Sequence, residues 1–301
     1  MKWEKQGLIF CADNHAPWMV SHASNPVARH VHDDIYKIYF SSRNKHNQSS
    51  ICCLEIDIKS PTEVLSIFDK PVLSPGECGL FDDAGASMGC FLDVSGETYL
   101  YYLGWTLTKS APWHNSIGLA KEKADGTFSK VSLAPIVDRS DADPFSLSYP
   151  WIMKSGETYH MWYGSNLSWG HEQKDMAHLI KYASSYDPFC WKPTGKIALE
   201  FRNTEEYAMS KPCVIRDPEC WKMWYSYRGH AYRIGYAESM DGANWTRKDS
   251  EVGITVSSEG WDSETVEYPN VFDHKGKRYM LYNGNRYGLT GFGIAQLVES
   301  L

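Results

Sequence analysis

One aromatic pattern returns along this chain of 301 residues and decides how it can fold. It reads Tyr36-Lys-Ile-Tyr-Phe-Ser41, Tyr99-Leu-Tyr-Tyr-Leu-Gly104, Tyr159-His-Met-Trp-Tyr-Gly164, Trp221-Lys-Met-Trp-Tyr-Ser226 and Tyr279-Met-Leu-Tyr-Asn-Gly284. Successive copies are 63, 60, 62 and 58 residues apart. Repetition at a near-constant period means that each copy is one structural unit, burying its faces against its neighbours.

The unit is larger than the aromatic strand. A shorter run precedes each copy and carries Asn25-Pro26, Tyr149-Pro150, Lys211-Pro212 or Tyr268-Pro269, with Cys90 in that place in the second copy. Between run and strand lie turn sequences such as Ser95-Gly-Glu-Thr98 and its repeat Ser155-Gly-Glu-Thr158. Glycine there supplies the positive φ of a hairpin. A third strand follows, as in Ile117-Gly-Leu-Ala120 and Ile234-Gly-Tyr-Ala237, and then a fourth after Asp187-Pro188 or Asp241-Gly242. Four antiparallel strands repeated radially predict an all-β chain, a single five-bladed β-propeller domain over residues 1–301. The last copy runs out after its third strand. Trp3-Glu-Lys-Gln-Gly7-Leu-Ile-Phe10 matches Trp191-Lys-Pro-Thr-Gly195-Lys-Ile-Ala198, so the N-terminal strand is expected to complete the last blade.

A net charge of −7, with acids and bases mixed, leaves no basic stripe for nucleic acid. No stretch approaches the roughly 18 apolar residues of a membrane span. The start lacks the apolar region of a signal peptide, and the eight cysteines fall in no Cys-x-x-Cys pair. A cytoplasmic location is expected, with neither metal nor cofactor.

In a propeller the first strand of each blade lines the central channel, where ligands bind. Seven residues before the proline position stand Met19, Asp83, Asp143, Glu205 and Asp262, beside Asp82 and Glu206. Deeper lie His22, Glu264 and Glu267; the eighth positions of the aromatic strands are Arg43, Thr106, Asn166, Arg228 and Arg286. Acids, arginines and aromatics are therefore expected to converge on one mouth. Carboxylates and aromatic platforms suit a carbohydrate, and arginine adds recognition of a carboxylate or phosphate. The alternative for each acid is structural: it caps a strand end or pairs with an arginine.

With these residues in view the chain resembles the five-bladed glycoside hydrolase propellers, the arabinanase, levansucrase and invertase group, and more distantly the mannoside phosphorylases. Gly260-Trp-Asp-Ser-Glu-Thr-Val-Glu-Tyr-Pro269 and Lys277-Arg-Tyr-Met-Leu-Tyr-Asn-Gly284 look like a bacterial glycosidase-like subgroup associated with surface-polysaccharide biosynthesis. The resemblance implies an Asp in blade one, an Asp in blade two and a Glu in blade three. Only Asp83, or its neighbour Asp82, matches. Blade one offers Met19-Val-Ser-His22 and blade three Asp143-Pro-Phe-Ser-Leu-Ser148. The expectation is an enzyme of the glycoside hydrolase or transglycosidase type. Asp83 and Glu206 would be its acid/base pair and Glu267 a third catalytic group. His22 and Tyr207 would position a carbohydrate or nucleotide sugar, and Arg43, Arg228 and Arg286 would hold an anionic group. Asp82, Asp143, Asn166 and Glu264 complete the expected binding set. The alternative is a non-catalytic carbohydrate-binding protein on a degenerate scaffold. Acids all paired to arginines would favour it.

Overall fold

The computed structural model describes residues 1–170 and 175–299. The chain is all-β. An eight-stranded sheet holds β2 (Ser21–His32), β3 (Ile35–Arg43), β4 (Ser49–Asp57), β5 (Val64–Ile67), β6 (Gly85–Val94), β7 (Glu97–Leu107), β8 (Trp113–Glu122) and β9 (Phe128–Lys130). A second holds β10 (Leu147–Ser155), β11 (Thr158–Asn166), β12 (His178–Ser185), β13 (Ile197–Leu199), β14 (Ala208–Arg216), β15 (Trp221–Arg228), β16 (Tyr232–Ser239) and β17 (Thr246–Arg247). The third is four-stranded: β18 (Glu267–His274), β19 (Lys277–Asn283), β20 (Phe292–Glu299) and β1 (Lys2–Phe10).

Each eight-stranded sheet is two antiparallel runs of four joined at a single parallel pair, Ser49 with Gly85 in one and His178 with Ala208 in the other. The expected closure is present: β1 pairs antiparallel with β20, Trp3 opposite Leu297 and Phe10 opposite Phe292. Pairing of two chain ends removes two open sheet edges at once.

The aromatic strands are the buried ones. Tyr39, Tyr101, Tyr102, Trp162, Tyr163, Trp224, Tyr225 and Tyr282 are almost fully enclosed. Their side chains fill the spaces between successive four-strand runs. One apolar cluster joins Tyr39 and Cys53 to Met88 and Tyr102, another Tyr101 and Leu119 to Ile152 and Met161, and a third Trp162 and Ile180 to Met209 and Met223. Two more join Trp224 and Ile234 to Val271 and Tyr282, and Leu281 and Phe292 to Ile38 and Phe40. The core is thus divided into layers, each shared by two neighbours, and the last layer returns to the first run.

The first strands pack on one another in the closed cycle β2, β6, β10, β14, β18 and back to β2. Each bulges at the residue before the repeat proline. Asn25, Tyr149, Lys211 and Tyr268 sit at φ between 35° and 55°, and the pairing slips at each of them. The second run has Gly89 there, and a Cβ at that position would collide with the Tyr101 carbonyl. The bulge redirects these side chains into the middle of the cycle. Lys211 Nζ donates to the Gly89 carbonyl at 2.8 Å, and the Tyr149 and Tyr268 rings lie 5.6 Å apart. Both contacts join runs that are not neighbours, so the centre of the ring is filled with side chains at this depth.

Candidate active site

The aspartates expected at the mouth are buried in the segments that precede the first strands. Asp82 accepts from Tyr102 Oη at 2.9 Å and pairs with Lys130 at 2.6 Å. Asp143 accepts from Tyr163 Oη and pairs with Lys181, both at 2.9 Å. Asp262 accepts from Tyr282 Oη at 3.0 Å and pairs with Lys5 at 2.6 Å. In β15 the same tyrosine position, Tyr225, donates to Asp249 at 2.6 Å, and Asp249 pairs with Arg247 at 2.6 Å. The reason is local. A buried phenol at the fourth or fifth place of the aromatic strand needs an acceptor, and the buried carboxylate then needs a cation. Asp82, not Asp83, is the structural counterpart of Asp143 and Asp262.

Glu206 is also held in an ion pair. Arg247 grips it through both guanidinium nitrogens, at 2.6 and 3.1 Å, and the Arg202 backbone N–H donates to it at 2.9 Å. Glu264 and Arg286 are exposed and face each other at 3.5 Å. Asn166 is buried opposite His178 in the β11–β12 ladder. Asp83 is half-buried and lines an open cleft of about 470 Å³ with His46, Gln48 and Trp105. Its Oδ2 accepts from the Gly79 N–H at 2.9 Å.

A different group converges at the ring centre, around Glu267. This carboxyl is fully enclosed at the start of β18. Oε1 accepts from the Tyr287 N–H at 2.9 Å and from Thr265 Oγ1 at 3.3 Å, while Oε2 is buried with no partner. Burial pushes its pKa from 4.5 up to about 8, against the opposing pull of the Tyr287 N–H, Thr265 and Arg228. Glu267 therefore carries its proton at neutral pH.

The turn after β19 delivers Tyr287. Arg286 and Tyr287 both adopt left-handed conformations, at φ 56° and 60°. Two such residues in a row are costly, on the order of 1–3 kcal/mol each, and the turn is held by Asn285 Oδ1, which accepts from the N–H groups of Glu264 and Thr265 at 2.8 and 3.1 Å. The strain aims one Tyr287 group at Glu267 and another at Arg228, whose Nη1 donates to Tyr287 Oη at 2.6 Å.

Around this pair stand three more tyrosines. Tyr232 packs edge-on against Tyr287 at 5.7 Å and tilted against Tyr268 at 6.0 Å, and Tyr268 meets Tyr149. Arg228 lies over the rings of Tyr207 and Tyr232, at 5.6 and 5.2 Å. His22 is driven down to about 4 by burial and then by Arg43; His178 is driven down to about 4 by burial, with Arg228 adding to it. Both are neutral imidazoles at pH 7.

Of the residues singled out in the sequence, His22, Arg43, Tyr207, Arg228 and Glu267 belong to this neighbourhood, while Asp82, Asp143 and Glu206 sit in their own ion pairs. Tyr149, His178, Tyr232 and Tyr268 were missed. Tyr149 and Tyr268 carried a signal, because each immediately precedes a repeat proline. Among the described residues no cluster of three or more His, Cys, Asp or Glu is placed to hold a metal ion. No helix among them is long and apolar enough to cross a membrane.

No family model matches the chain. Solved structures do. A glycoside hydrolase superposes with a TM-score of 0.77 over 99% of this chain and 92% of its own, at 16% identity. A glycosyl hydrolase from Bacteroides ovatus gives 0.73 over 98% and 93%, at 15% identity. A thermostable family-43 glycoside hydrolase gives 0.63 over 92% and 88%, at 17% identity. At such identities the likeness is one of fold, and the fold is that of the propeller-like glycoside hydrolases. In sequence, two proteins of Mycobacterium tuberculosis are each 43% identical over 297 residues, 99% of this chain and 99% of theirs. The chain belongs to the family of these mycobacterial proteins, named "Uncharacterized protein MT1551" and "Uncharacterized protein Rv1502".

Proposed function

We propose that this protein is a five-bladed propeller enzyme of the glycoside hydrolase or transglycosidase type, with its active site in the tyrosine-walled neighbourhood of Glu267. The observation that carries the reading is the placement of that carboxyl: fully buried, with Oε2 unpaired, a setting that favours its protonated form. Cleaving a glycosidic bond needs an acid to protonate the leaving oxygen and an ionised carboxylate to meet the developing positive charge. Glu267 is the donor in this proposal. Asp83 is the carboxylate in this proposal; its open cleft also takes in Asn47, the hydrogen-bond partner of Arg43. Glu206 is already committed to its ion pair with Arg247. The expected setting is bacterial surface-polysaccharide metabolism, in the cytoplasm, which the eight free cysteines support.

A second reading has its own support. Asp82, Asp143, Glu206 and Asp262 are all in ion pairs, as a carbohydrate-binding protein without turnover would allow. Proton NMR of a panel of oligosaccharides, sugar phosphates and nucleotide sugars separates the two. An enzyme turns over at least one compound, and Glu267→Gln and Asp83→Asn each cut that rate about 100-fold or more. Full turnover by Glu267→Gln sinks the assignment of the acid. Saturable binding without turnover by the native protein selects the second reading.

A further inference from the structure

The charges of the Glu267 neighbourhood do not balance. Arg228 is stacked over Tyr207 and Tyr232, gives Nη1 to Tyr287 Oη, and keeps Nε buried with no partner. Arg43 gives Nη1 to the neutral Asn47 side chain at 3.0 Å. Neither has a carboxylate within ion-pair distance among the described residues. The buried acids Asp82, Asp143, Glu206 and Asp262 are paired instead with Lys130, Lys181, Arg247 and Lys5. Among the described residues Glu267 lies beside Arg228, and burial favours its neutral form; burial also favours the neutral forms of His22 and His178. Among the described residues Arg228 and Arg43 are thus bonded only to neutral partners, Tyr287 and Asn47. Both arginines are partly buried, and a partly desolvated cation without a counter-charge favours binding of an anion. The planar fork of arginine fits the oxygens of a carboxylate or phosphate, and the tyrosine faces suit the ring that carries it.

We infer that the sugar bound here carries a negative group, a carboxylate or a phosphate, which Arg228 and Arg43 hold beside Glu267. The inference rests on the site assignment above.

Calorimetric titration at pH 7 tests it, with neutral aldoses each paired with its own uronate and 6-phosphate: the gluco, galacto and manno series. Native protein and Glu267→Gln are both used, the second so that turnover does not consume the ligand. In at least one series an anionic member should bind about tenfold or more tightly than its neutral parent. The preferred member tells carboxylate from phosphate. Glu267→Gln should keep the preference and Arg228→Met should lose it. Arg43→Met, read the same way, covers the case in which Arg228→Met fails to fold. The inference is overturned if no anionic member out-binds its parent in any series, or if the preference survives the arginine substitutions. Failure of the catalytic assignment would appear separately, as turnover by Glu267→Gln.

Discussion

Glu267 should make this protein less stable than it needs to be, and the cost can be worked from its environment. The carboxyl titrates near 4.5 when the chain is unfolded and near 8 when folded. Below the lower value both states hold the proton and pH has no effect through this group. Between the two values the unfolded state has lost its proton and the folded state has not. Stability then falls as pH rises, by roughly 1.4 kcal/mol per pH unit, and the fall ends above the folded value. At pH 7, about 2.5 pH units above the lower value, the accumulated loss is about 3 kcal/mol. Glu267→Gln removes the ionisable group but keeps an acceptor for the Tyr287 N–H. The variant should therefore be more stable than the native protein at pH 7, by about 3 kcal/mol, while losing the proposed acid. Urea unfolding of both proteins from pH 5 to pH 8 gives the difference directly, and titrations common to the two cancel. The gap should widen steadily with pH. A gap that stays flat would show that Glu267 titrates normally in the folded protein, and the proposed proton donor would lose its basis.

Lys211 should show the opposite slope above pH 8. Burial lowers its pKa from 10.5 to about 8, so between those values the folded state has shed a proton that the unfolded state keeps, and stability through this group rises with pH. Native protein compared with Lys211→Met over pH 8 to 10 should gain roughly 1.4 kcal/mol per pH unit, and equal slopes would refute it. Arg247→Met strands the buried carboxylates of Glu206 and Asp249 and should cost about 3–5 kcal/mol in urea unfolding. A loss below about 1 kcal/mol would mean that Glu206 is not held as the ion pair requires.

The repeat was legible because a buried strand has a strict side-chain pattern. Tyr99 to Gly104 and its counterparts announced the units, and the Trp3 and Gly7 match announced the pairing of β1 with β20. The site was less legible. Counting residues back from the proline placed Asp83 in register with Asp143 and Asp262, but Asp82 fills the matching ion pair. A one-residue offset in a loop leaves no trace in composition, yet it decides which acid meets the tyrosine. The fourth run was harder still, because its equivalent carboxylate, Asp249, follows its aromatic strand in sequence. Asn25, Tyr149, Lys211 and Tyr268 were visible only as residues before proline. Their turn into the ring centre depends on a positive φ that the sequence does not display. The left-handed backbone that carries the Tyr287 N–H to Glu267 likewise leaves no mark in the sequence.

The pairing of β1 with β20 also sets a timetable. A strand near residue 5 must wait for a partner near residue 295. At ribosomal rates of roughly 5–20 residues per second, that wait is on the order of 15–60 s. Through that time Trp3 lacks its place against Trp224 and the last cluster, and the edge of β1 lies open. Joining ends separated by nearly the whole chain costs about 5 kcal/mol of loop entropy if nothing between them is ordered, and far less once the intervening runs have stacked and brought the ends together. The order of events follows from that difference. The middle of the chain must assemble first as an open arc, and closing it is the slow, late step at which a nascent copy is most exposed to pairing with the wrong edge.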